Sequence, residues 1–379
     1  MKIRKILSMA IALTLVLALS LSLAACGSSK DNGGDTNGAS YTIGYNTWGS
    51  GTATFDVMAD YIANALETLG STGNRVSDEH NADTELANAQ NFISAGVDGV
   101  AFQCSADPVL LQAAAKFAES KTPFVLDIFV GDDADREEVT KNNEYYAGSV
   151  SADLWLDGYL MGQAAAADGN KKAVLVGGNV GDNHFEQRIA GFTQSFVTEG
   201  GGVILDAARC TSPAESVEKS NAVFSANRDA DCAYAMVGDY VPGVIKAIED
   251  LGLEGVQTYA SNAGEDAIPY IRDGRVSAGG GGNDLPAPIA IALLINYIDG
   301  HPIKNENGLA PNLIVKPFTV TIDNVDDFVA MLYTDGVNPI ADDVLQSLLW
   351  RYNPDVTYQD YLDVIDSLTI EGMMAAHNK

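Results

Sequence analysis

The chain has 379 residues and carries 51 acidic against 22 basic side chains, which gives a formal net charge of −29 at pH 7. A charge of this sign opposes binding to nucleic acids and to anionic lipid surfaces, so a nucleic-acid-binding function is not expected. The four cysteines form no CxxC pair and the four histidines have no zinc-like spacing, so we predict neither a metal site nor a cofactor.

The first 25 residues have the pattern of a secretory signal peptide. Basic residues at positions 2, 4 and 5 precede an apolar run from 6 to 23, and the small residues Ala24 and Ala25 then precede Cys26. This ending resembles the bacterial lipobox, and the resemblance implies that the Cys26 thiol is diacylated and that Cys26 becomes the mature N-terminus. An uncleaved N-terminal membrane helix is the alternative, because the apolar run is nearly long enough to span a bilayer.

The segment after Cys26 has the composition of a flexible tether. Residues 27–40 are mostly Gly, Ser, Asn and Asp and include no large apolar side chain. Such a segment cannot bury enough surface to offset its ordering entropy. No later stretch is long and apolar enough to span a membrane, so we expect an extracytoplasmic body that is lipid-anchored to the cell membrane through residues 26–40.

The rest of the chain alternates short β-branched runs with amphipathic helical stretches. Predicted strands are Thr42–Tyr45, Val97–Phe102, Phe124–Ile128, Ala173–Val176, Val203–Asp206, Cys232–Val237 and Val256–Ser261. Predicted helices are Asp56–Leu69, Asp83–Ala95, Pro108–Glu119, Asp153–Ala167, Phe185–Thr198, Pro213–Ala226 and Pro242–Leu251. Repeated βα units of this kind predict an α/β fold, in which parallel sheets are covered by helices on both faces.

Polar and aromatic side chains follow these predicted strands. Ligands of such sheets bind beyond the carboxyl ends of the strands. The residues at those ends that could contact a ligand are Asn46, Trp48, Gln103, Asp127, Asp239 and Asn262.

From about Tyr41 to about Asp326 the chain resembles the type I periplasmic-binding-protein family, in particular its ribose and galactose branch. The segments that carry the resemblance occur in the family's order and are Tyr41–Tyr45, Asn88–Val100 with its "GVD" turn, Thr122–Asp127, Val150–Gly162, the RxxGF motif Arg188–Phe192, and Ile271–Val276 with its "DG" turn. The resemblance implies two similar αβα lobes with parallel sheets, joined by a three-stranded hinge that crosses near Ser149, Asn283 and Val315.

The resemblance also implies a division of the chain. Residues 41–149 with 284–314 would form the N-terminal lobe, residues 150–283 with 315–325 the C-terminal lobe, and residues 326–379 a helical C-terminal extension. It further implies a monomeric binding protein, not an enzyme, that captures a monosaccharide or related sugar and delivers it to the permease of an ABC transporter.

Family positions indicate which polar residues would contact a ligand. Arg188 of RxxGF and Asp127 match ligand-binding positions, and carboxylates and guanidinium groups suit the paired hydroxyls of a sugar. His184 stands where galactose-binding relatives carry an acidic residue. A surface Arg188, a helix-capping Asp127 and a solvent-exposed His184 are the alternative interpretations.

Other family positions differ from the pattern in this chain. Gly238-Asp239 replaces an Asn-Asp pair, Asn262 replaces an aspartate, and Asn283 with Asp284 lies at the second crossing, where a flexible loop is the alternative. These differences leave the identity of the sugar open.

An aromatic side chain is expected after the first strand, and Trp48 and Phe55 are the candidates, with a place in the core as the alternative. The second aromatic that relatives place near Ser212-Pro213 is absent, and Tyr240 or Phe129 could substitute.

Other functions remain open from the sequence alone. The chain lacks GxSxG, and residues 177–181 miss the GxGxxG spacing, so no enzyme motif is recognised. A sensor subunit, or binding of a nucleoside or an amino acid, would use the same fold. A DNA-binding repressor of related architecture is disfavoured by the strong negative charge of the chain and by the predicted signal peptide. A disulfide between Cys210 and Cys232 is neither indicated nor excluded by their spacing.

Overall fold

The computed structural model describes residues 39–104, 107–128, 131, 133–334 and 337–378. The predicted signal peptide, Cys26, most of the predicted tether and Phe129 lie outside the described residues. Among the residues that the structure describes, no helix combines the length and apolar character needed to cross a membrane.

The described chain contains two sets of alternating strands and helices. The strands are β1 (Thr42–Thr47), β2 (Thr72–Ser77), β3 (Gly99–Phe102), β4 (Phe124–Asp127), β5 (Tyr146–Ala152), β6 (Lys172–Gly177), β7 (Val203–Arg209), β8 (Cys232–Ala235), β9 (Gln257–Ala260), β10 (Val276–Gly281), β11 (Asn312–Val315) and β12 (Phe318–Val320). The α-helices are α1 (Ala53–Thr68), α2 (Ala82–Ala95), α3 (Asp107–Ser120), α4 (Asp133–Asn142), α5 (Leu154–Ala167), α6 (Asn183–Phe192), α7 (Pro213–Ala226), α8 (Val241–Asp250), α9 (Ile268–Arg272), α10 (Pro286–Ile298), α11 (Val325–Leu332), α12 (Asp342–Ser347), α13 (Tyr358–Ser367) and α14 (Ile370–His377). A π-helix, Thr193–Glu199, continues α6, and a 3₁₀ turn, Gly238–Tyr240, precedes α8.

The strands form two sheets of six, and each sheet is the centre of one lobe. The first sheet has the order β11-β5-β4-β3-β1-β2 and the second the order β12-β10-β9-β8-β6-β7. All neighbouring pairs are parallel except β10 with β12. The chain therefore passes between the sheets three times, after β5, after β10 and after β11. The predicted two-lobed α/β fold is confirmed, whereas the residue boundaries given above for each lobe stay predictions.

Some elements lack the patterns by which we assigned structure from sequence. β2 reads TGNRVS and is largely exposed at a sheet edge, and β10 reads VSAGGG. Neither has the apolar run or the alternation that indicates a strand. Helix α10 is buried from Pro286 through Asn296, because the first sheet, α1 and α12 all pack against it. A helix that is apolar all round gives no amphipathic signal.

The RxxGF motif sits where two helices of the second lobe touch. A Cβ atom on Gly191 of α6 would lie 1.9 Å from the carbonyl oxygen of Trp155, and one on Gly158 of α5 would lie 2.0 Å from the carbonyl oxygen of Arg188. Because glycine carries a hydrogen atom in place of a side chain, Gly158 and Gly191 let the backbones of α5 and α6 approach closely. This contact fixes the direction of Arg188 relative to α5.

We therefore expect Gly191→Ala to lower the free energy of unfolding by about 1–3 kcal/mol, as overpacking does. Gly264→Ala is the matched control, because its added methyl group would meet no atom closer than 3.8 Å. Urea unfolding of both variants measures the difference. Equal stability of the two would contradict the helix-contact explanation of this glycine.

The cysteines of the second lobe are not paired. Cys210 and Cys232 are both free and buried. The amide of Cys210 bonds to Gly177 at the end of β6, whereas Cys232 is in register with Ala173 near its start. Those ends of β6 are about 13 Å apart at the usual rise per residue, and a disulfide needs Cα atoms within about 7 Å. The Cys210–Cys232 bridge that the sequence left open is therefore absent.

The C-terminal segment, Val325–His377, packs onto the body of the protein through its four helices. Helix α11 contacts α9 of the second lobe, and α12 contacts α1 and α10 of the first. Buried side chains of the segment, among them Leu345, Leu349 and Tyr361, belong to the same apolar core as both lobes. The segment is therefore an integral part of the folded unit.

Candidate functional site

A cavity of about 610 Å³ lies where loops that follow strands of both sheets face each other. Six of the residues singled out from the sequence line it, namely Trp48, Phe55, His184, Asp239, Tyr240 and Asn262. Its other walls include Thr54, His80, Asn179, Asp182, Phe185 and Thr211. Both lobes therefore supply polar and aromatic groups to one shared space.

The lobes touch each other beside this cavity. The Thr54 hydroxyl of the first lobe donates to Oδ1 of Asp239 in the second at 2.6 Å. The Asn183 side chain donates to the carbonyl oxygen of Gly131 at 3.2 Å. The ring of Trp48 meets the ring of His184 edge-on, with centroids 5.9 Å apart. These contacts join the two lobes at the edge of the cavity.

Next to the cavity lies an inner polar cluster, formed by Asp127, Asp157, Arg188, Asn283 and Asp284. The Arg188 Nε atom donates to Oδ2 of Asp157 at 2.8 Å, and the Asn283 amide donates to the same oxygen at 3.3 Å. All five residues are at most 3% exposed. Arg188 also contacts the ring of His184, which links the cluster to the cavity wall.

Asp157 is the member of this cluster that sequence reasoning missed. It lies in the first turn of α5, within a predicted helix and within the family segment Val150–Gly162, neither of which singled out its side chain. Its role follows from the close contact of α5 with α6, which brings its carboxylate to Arg188. That proximity spans 31 positions along the chain, so only the tertiary structure reveals it.

Asn46 and Gln103 hold other site residues in place. The Gln103 amide donates to Asp127 at 3.2 Å, and its oxygen accepts from the backbone N–H of Trp48 at 3.4 Å. The Asn46 amide donates to Asp78 at 3.0 Å and to the Gln103 carbonyl oxygen at 3.0 Å. Both side chains are fully buried, and neither lines the cavity. The structure thus connects them to the site through Trp48 and Asp127.

Several buried polar atoms around the cavity have no hydrogen-bond partner. They are Trp48 Nε1, Asp127 Oδ1, Asp157 Oδ1, His184 Nδ1, Arg188 Nη2, Asn283 Oδ1 and Asp284 Oδ1. Folded proteins pair the large majority of such atoms, so a group of them in one place calls for an explanation. The set contains both donors and acceptors and draws on both lobes.

Comparison with known families identifies the architecture. Residues 43–302 match the family model described as a periplasmic binding protein domain. The chain belongs to this periplasmic binding protein family. A search of curated protein sequences finds no match.

Several solved structures share this fold. A Mycobacterium smegmatis protein in complex with β-D-fucofuranose is 18% identical, with a TM-score of 0.67 over 76% of this chain and 94% of the other. A solute-binding protein of an ABC transporter from Actinobacillus succinogenes, with bound D-allose, is 18% identical, with a TM-score of 0.68 over 76% and 99%. One from Bacillus halodurans, with bound myo-inositol, is 14% identical, with a TM-score of 0.66 over 79% and 99%.

In this periplasmic binding protein the buried acids are poorly solvated. Burial raises the pKa of Asp127 to about 7, against a weaker opposing effect of its bond from Gln103. Burial also raises the pKa of Asp284 to about 7; the Arg188 guanidinium lowers it, and the carboxylates of Asp239, Asp127 and Asp157 raise it. Burial, followed by the nearby Arg188 charge, holds the pKa of His184 well below its usual value, so the imidazole is neutral.

These shifts predict that stability falls as pH rises. Asp127 and Asp284 keep their protons in the folded state up to about pH 7, whereas in the unfolded chain they lose them near pH 4. Between those values the folded state binds more protons, so the free energy of unfolding should fall with pH and level off above about pH 7. Urea unfolding from pH 4.5 to 8 measures the slope.

Asp127→Asn and Asp284→Asn should each flatten this pH profile, and Asp98→Asn serves as a control at an exposed carboxylate that bonds only to the Thr42 N–H. If the free energy of unfolding of the double variant depended on pH as steeply as that of the wild type, the attribution of the pH dependence to Asp127 and Asp284 would be contradicted. The general charge repulsion of the chain remains in all variants, so it cancels in the comparison.

The aromatic walls of the cavity only partly match expectation. Trp48 is 5% exposed and Phe55 is half-buried. Both residues line the cavity and both also pack against the apolar core, so each occupies the cavity wall and the core at once. Tyr240 lines the cavity as well, whereas Phe129 lies outside the described residues. His80 and Phe185 were missed: His80 follows the unassigned strand β2, and Phe185 was assigned only as the start of a helix.

Proposed function

We propose that the protein is an extracytoplasmic lipoprotein that captures a small polar ligand, a monosaccharide or related sugar, and delivers it to the permease of an ABC transporter. The observation that carries the proposal is the group of buried, unpartnered donors and acceptors that both lobes supply in and beside one cavity. Each sugar hydroxyl can donate one hydrogen bond and accept others, so a sugar satisfies a mixed set of this kind.

The ligand roles follow from where each side chain lies. Trp48, Phe55, His184, Asp239 and Asn262 would contact the ligand from the cavity walls. The lobes would part to admit the ligand to the inner polar cluster, which contains residues of both lobes and of the hinge. Asp127, Arg188, Asn283 and Asp284 would then contact the ligand once the lobes close around it. Asn46 and Gln103 would position Trp48 and Asp127.

A ligand that bonds to both lobes stabilises their closed arrangement, which is the form that a transporter can distinguish from the open one. The Thr54–Asp239 bond already joins the lobes at the cavity edge. Proteins with the same fold have been solved with fucofuranose, allose and myo-inositol, all of them compact polyhydroxylated rings. The proposal extends that chemistry to this chain.

A ligand screen tests the binding function. Purified mature protein is heated with single sugars, polyols, nucleosides and amino acids, because a ligand raises stability by RT ln(1 + [L]/Kd). We expect a rise in Tm with at least one sugar or polyol, and calorimetry then gives its affinity. A response to amino acids alone would contradict the sugar assignment, and turnover of the bound sugar would indicate an enzyme instead.

Membrane attachment is tested separately with Cys26→Ser. The native precursor, expressed in a bacterium, is expected in the membrane fraction with a diacylated N-terminal cysteine by mass spectrometry. The variant should lose the lipid while its globular part still binds ligand. A wild-type protein that is unlipidated at Cys26 would contradict the anchoring proposal and leave the binding proposal untouched.

A further inference from the structure

Each lobe presents one phenylalanine to the cavity from an equivalent place in the fold. Phe55 is the third residue of α1 and Phe185 is the third residue of α6, and both line the cavity. The two helices follow β1 and β6, which hold the same position in the strand orders of their sheets. The two rings therefore approach the cavity from opposite lobes as a matched pair.

A glycine backbone supports each of these rings. A Cβ atom on Gly49 would lie 2.4 Å from the ring of Phe55, and one on Gly178 would lie 2.0 Å from the ring of Phe185. Both glycines belong to the loops that follow β1 and β6. The rings thus rest directly on loop backbone, which limits their movement and keeps them half-buried at the cavity wall.

The cavity is also larger than a single sugar ring requires. Pockets of about 300–1,000 Å³ hold drug-sized ligands, and a volume of about 610 Å³ falls well inside that range. Its walls carry further hydrogen-bonding side chains beyond those assigned to the sugar, including Asn179, Asp182 and Thr211. A second chemical group therefore has both room and partners.

We propose that the site takes a ligand of two linked rings, in which the polyhydroxylated ring bonds to the inner polar cluster and the second ring lies between Phe55 and Phe185. This inference rests on the proposed sugar-binding function and specifies the ligand class. The second ring must present apolar faces to two phenylalanines. The second sugar of a disaccharide and the base of a nucleoside share this property.

Calorimetry with paired ligands tests the inference. Glucose, galactose and ribose are compared with maltose, cellobiose, lactose, adenosine and uridine. We expect at least one two-ring compound to bind about tenfold or more tightly than its free sugar, since two aromatic contacts are added. Tight binding by the disaccharides or by the nucleosides identifies the second ring.

Phe185→Ala should weaken the two-ring ligand about five- to tenfold and change the free sugar by less than about twofold. Phe185→Leu provides a milder form of the same test should the alanine variant not fold. Trp155→Ala is the matched control, because Trp155 is an aromatic of the second lobe that is 41% exposed and does not line the cavity. It should leave both affinities unchanged.

The outcomes separate the two proposals. Free sugars that bind as tightly as every two-ring compound would overturn the two-ring inference and leave sugar binding intact. An equal loss of both affinities in Phe185→Ala would also overturn it. If neither free sugars nor two-ring compounds bind, the proposed function fails and the inference fails with it.

Discussion

Replacing Arg188 with alanine is expected to lower the free energy of unfolding by about 3–5 kcal/mol at pH 8, the cost of breaking a buried ion pair. Its Nε lies 2.8 Å from Oδ2 of Asp157, and neither side chain has exposed surface. The change leaves Asp157 without a counter-charge beside Asp284 and Asp127, whose own pKa values are already raised by burial. Urea unfolding measures the loss.

Protonation of Asp127 and Asp284 below about pH 7 should remove negative charge beside Asp157. The destabilisation by Arg188→Ala is therefore expected to shrink toward pH 5. In the protein that remains folded, sugar affinity should fall by about 1.5–3 kcal/mol, as for a lost hydrogen bond to a charged group. The paired variant Arg188→Met with Asp157→Leu should regain stability relative to Arg188→Ala, because apolar side chains often replace a buried ion pair at little cost.

Arg272→Ala is the control for this experiment. Arg272 pairs with Asp326 at the same distance of 2.8 Å, but the two side chains are 46% and 84% exposed. Pairs of this kind contribute up to ~1 kcal/mol. If Arg188→Ala and Arg272→Ala were equally mild, the inner polar cluster would not be the sealed, low-dielectric site that the structure shows.

Replacing Asn296 with alanine is expected to lower the free energy of unfolding by about 3 kcal/mol. The Asn296 amide, fully buried on α10, donates to the Leu348 carbonyl oxygen at 2.7 Å and to the Tyr361 hydroxyl at 3.0 Å. Its oxygen accepts from the backbone N–H of Trp350 at 2.8 Å. Alanine removes all three bonds and leaves the buried N–H of Trp350 without this partner, while the Leu348 carbonyl oxygen keeps its bond from the Tyr361 hydroxyl.

Tyr361→Phe gives a graded comparison at the same place. It removes one hydroxyl that bonds to Asn296 and to Leu348, so we expect a loss of about 1 kcal/mol. Asn378→Ala, at an exposed position of the same segment, should have little effect. Limited proteolysis should cut the C-terminal segment faster in Asn296→Ala than in either comparison variant. Equal stability of all three would show that the segment is held by apolar contacts alone.

The candidate site was recognisable from the sequence only in part. Asp127, Asp239 and Asn262 follow apolar strands, so their places at the carboxyl ends could be read from the chain. Arg188 could be read from RxxGF. Whether such residues face open space or sealed protein depends on how two lobes close on each other. For that reason Asn262 lines the cavity, whereas Asp127 and Arg188 lie in the inner polar cluster.

The sequence by itself determined the alternation of strands and helices, because apolar periodicity and capping residues act within a few positions. Segments that resemble the family occur in the family's order along the chain, and they indicated the two-lobed fold. The two six-stranded sheets confirm this fold. Strand β10 and helix α10 were not predicted from the sequence. The strand is rich in glycine, and the helix is buried on every side, so neither has the expected apolar pattern.

Only the tertiary structure decided which distant groups meet. Asp157 reaches Arg188 because glycines let α5 and α6 touch, and Phe185 lines the cavity together with Phe55 because α1 and α6 occupy equivalent places in two lobes. Long-range proximity of this kind leaves no local pattern in the chain. It arises from packing, and packing is a property of the whole fold.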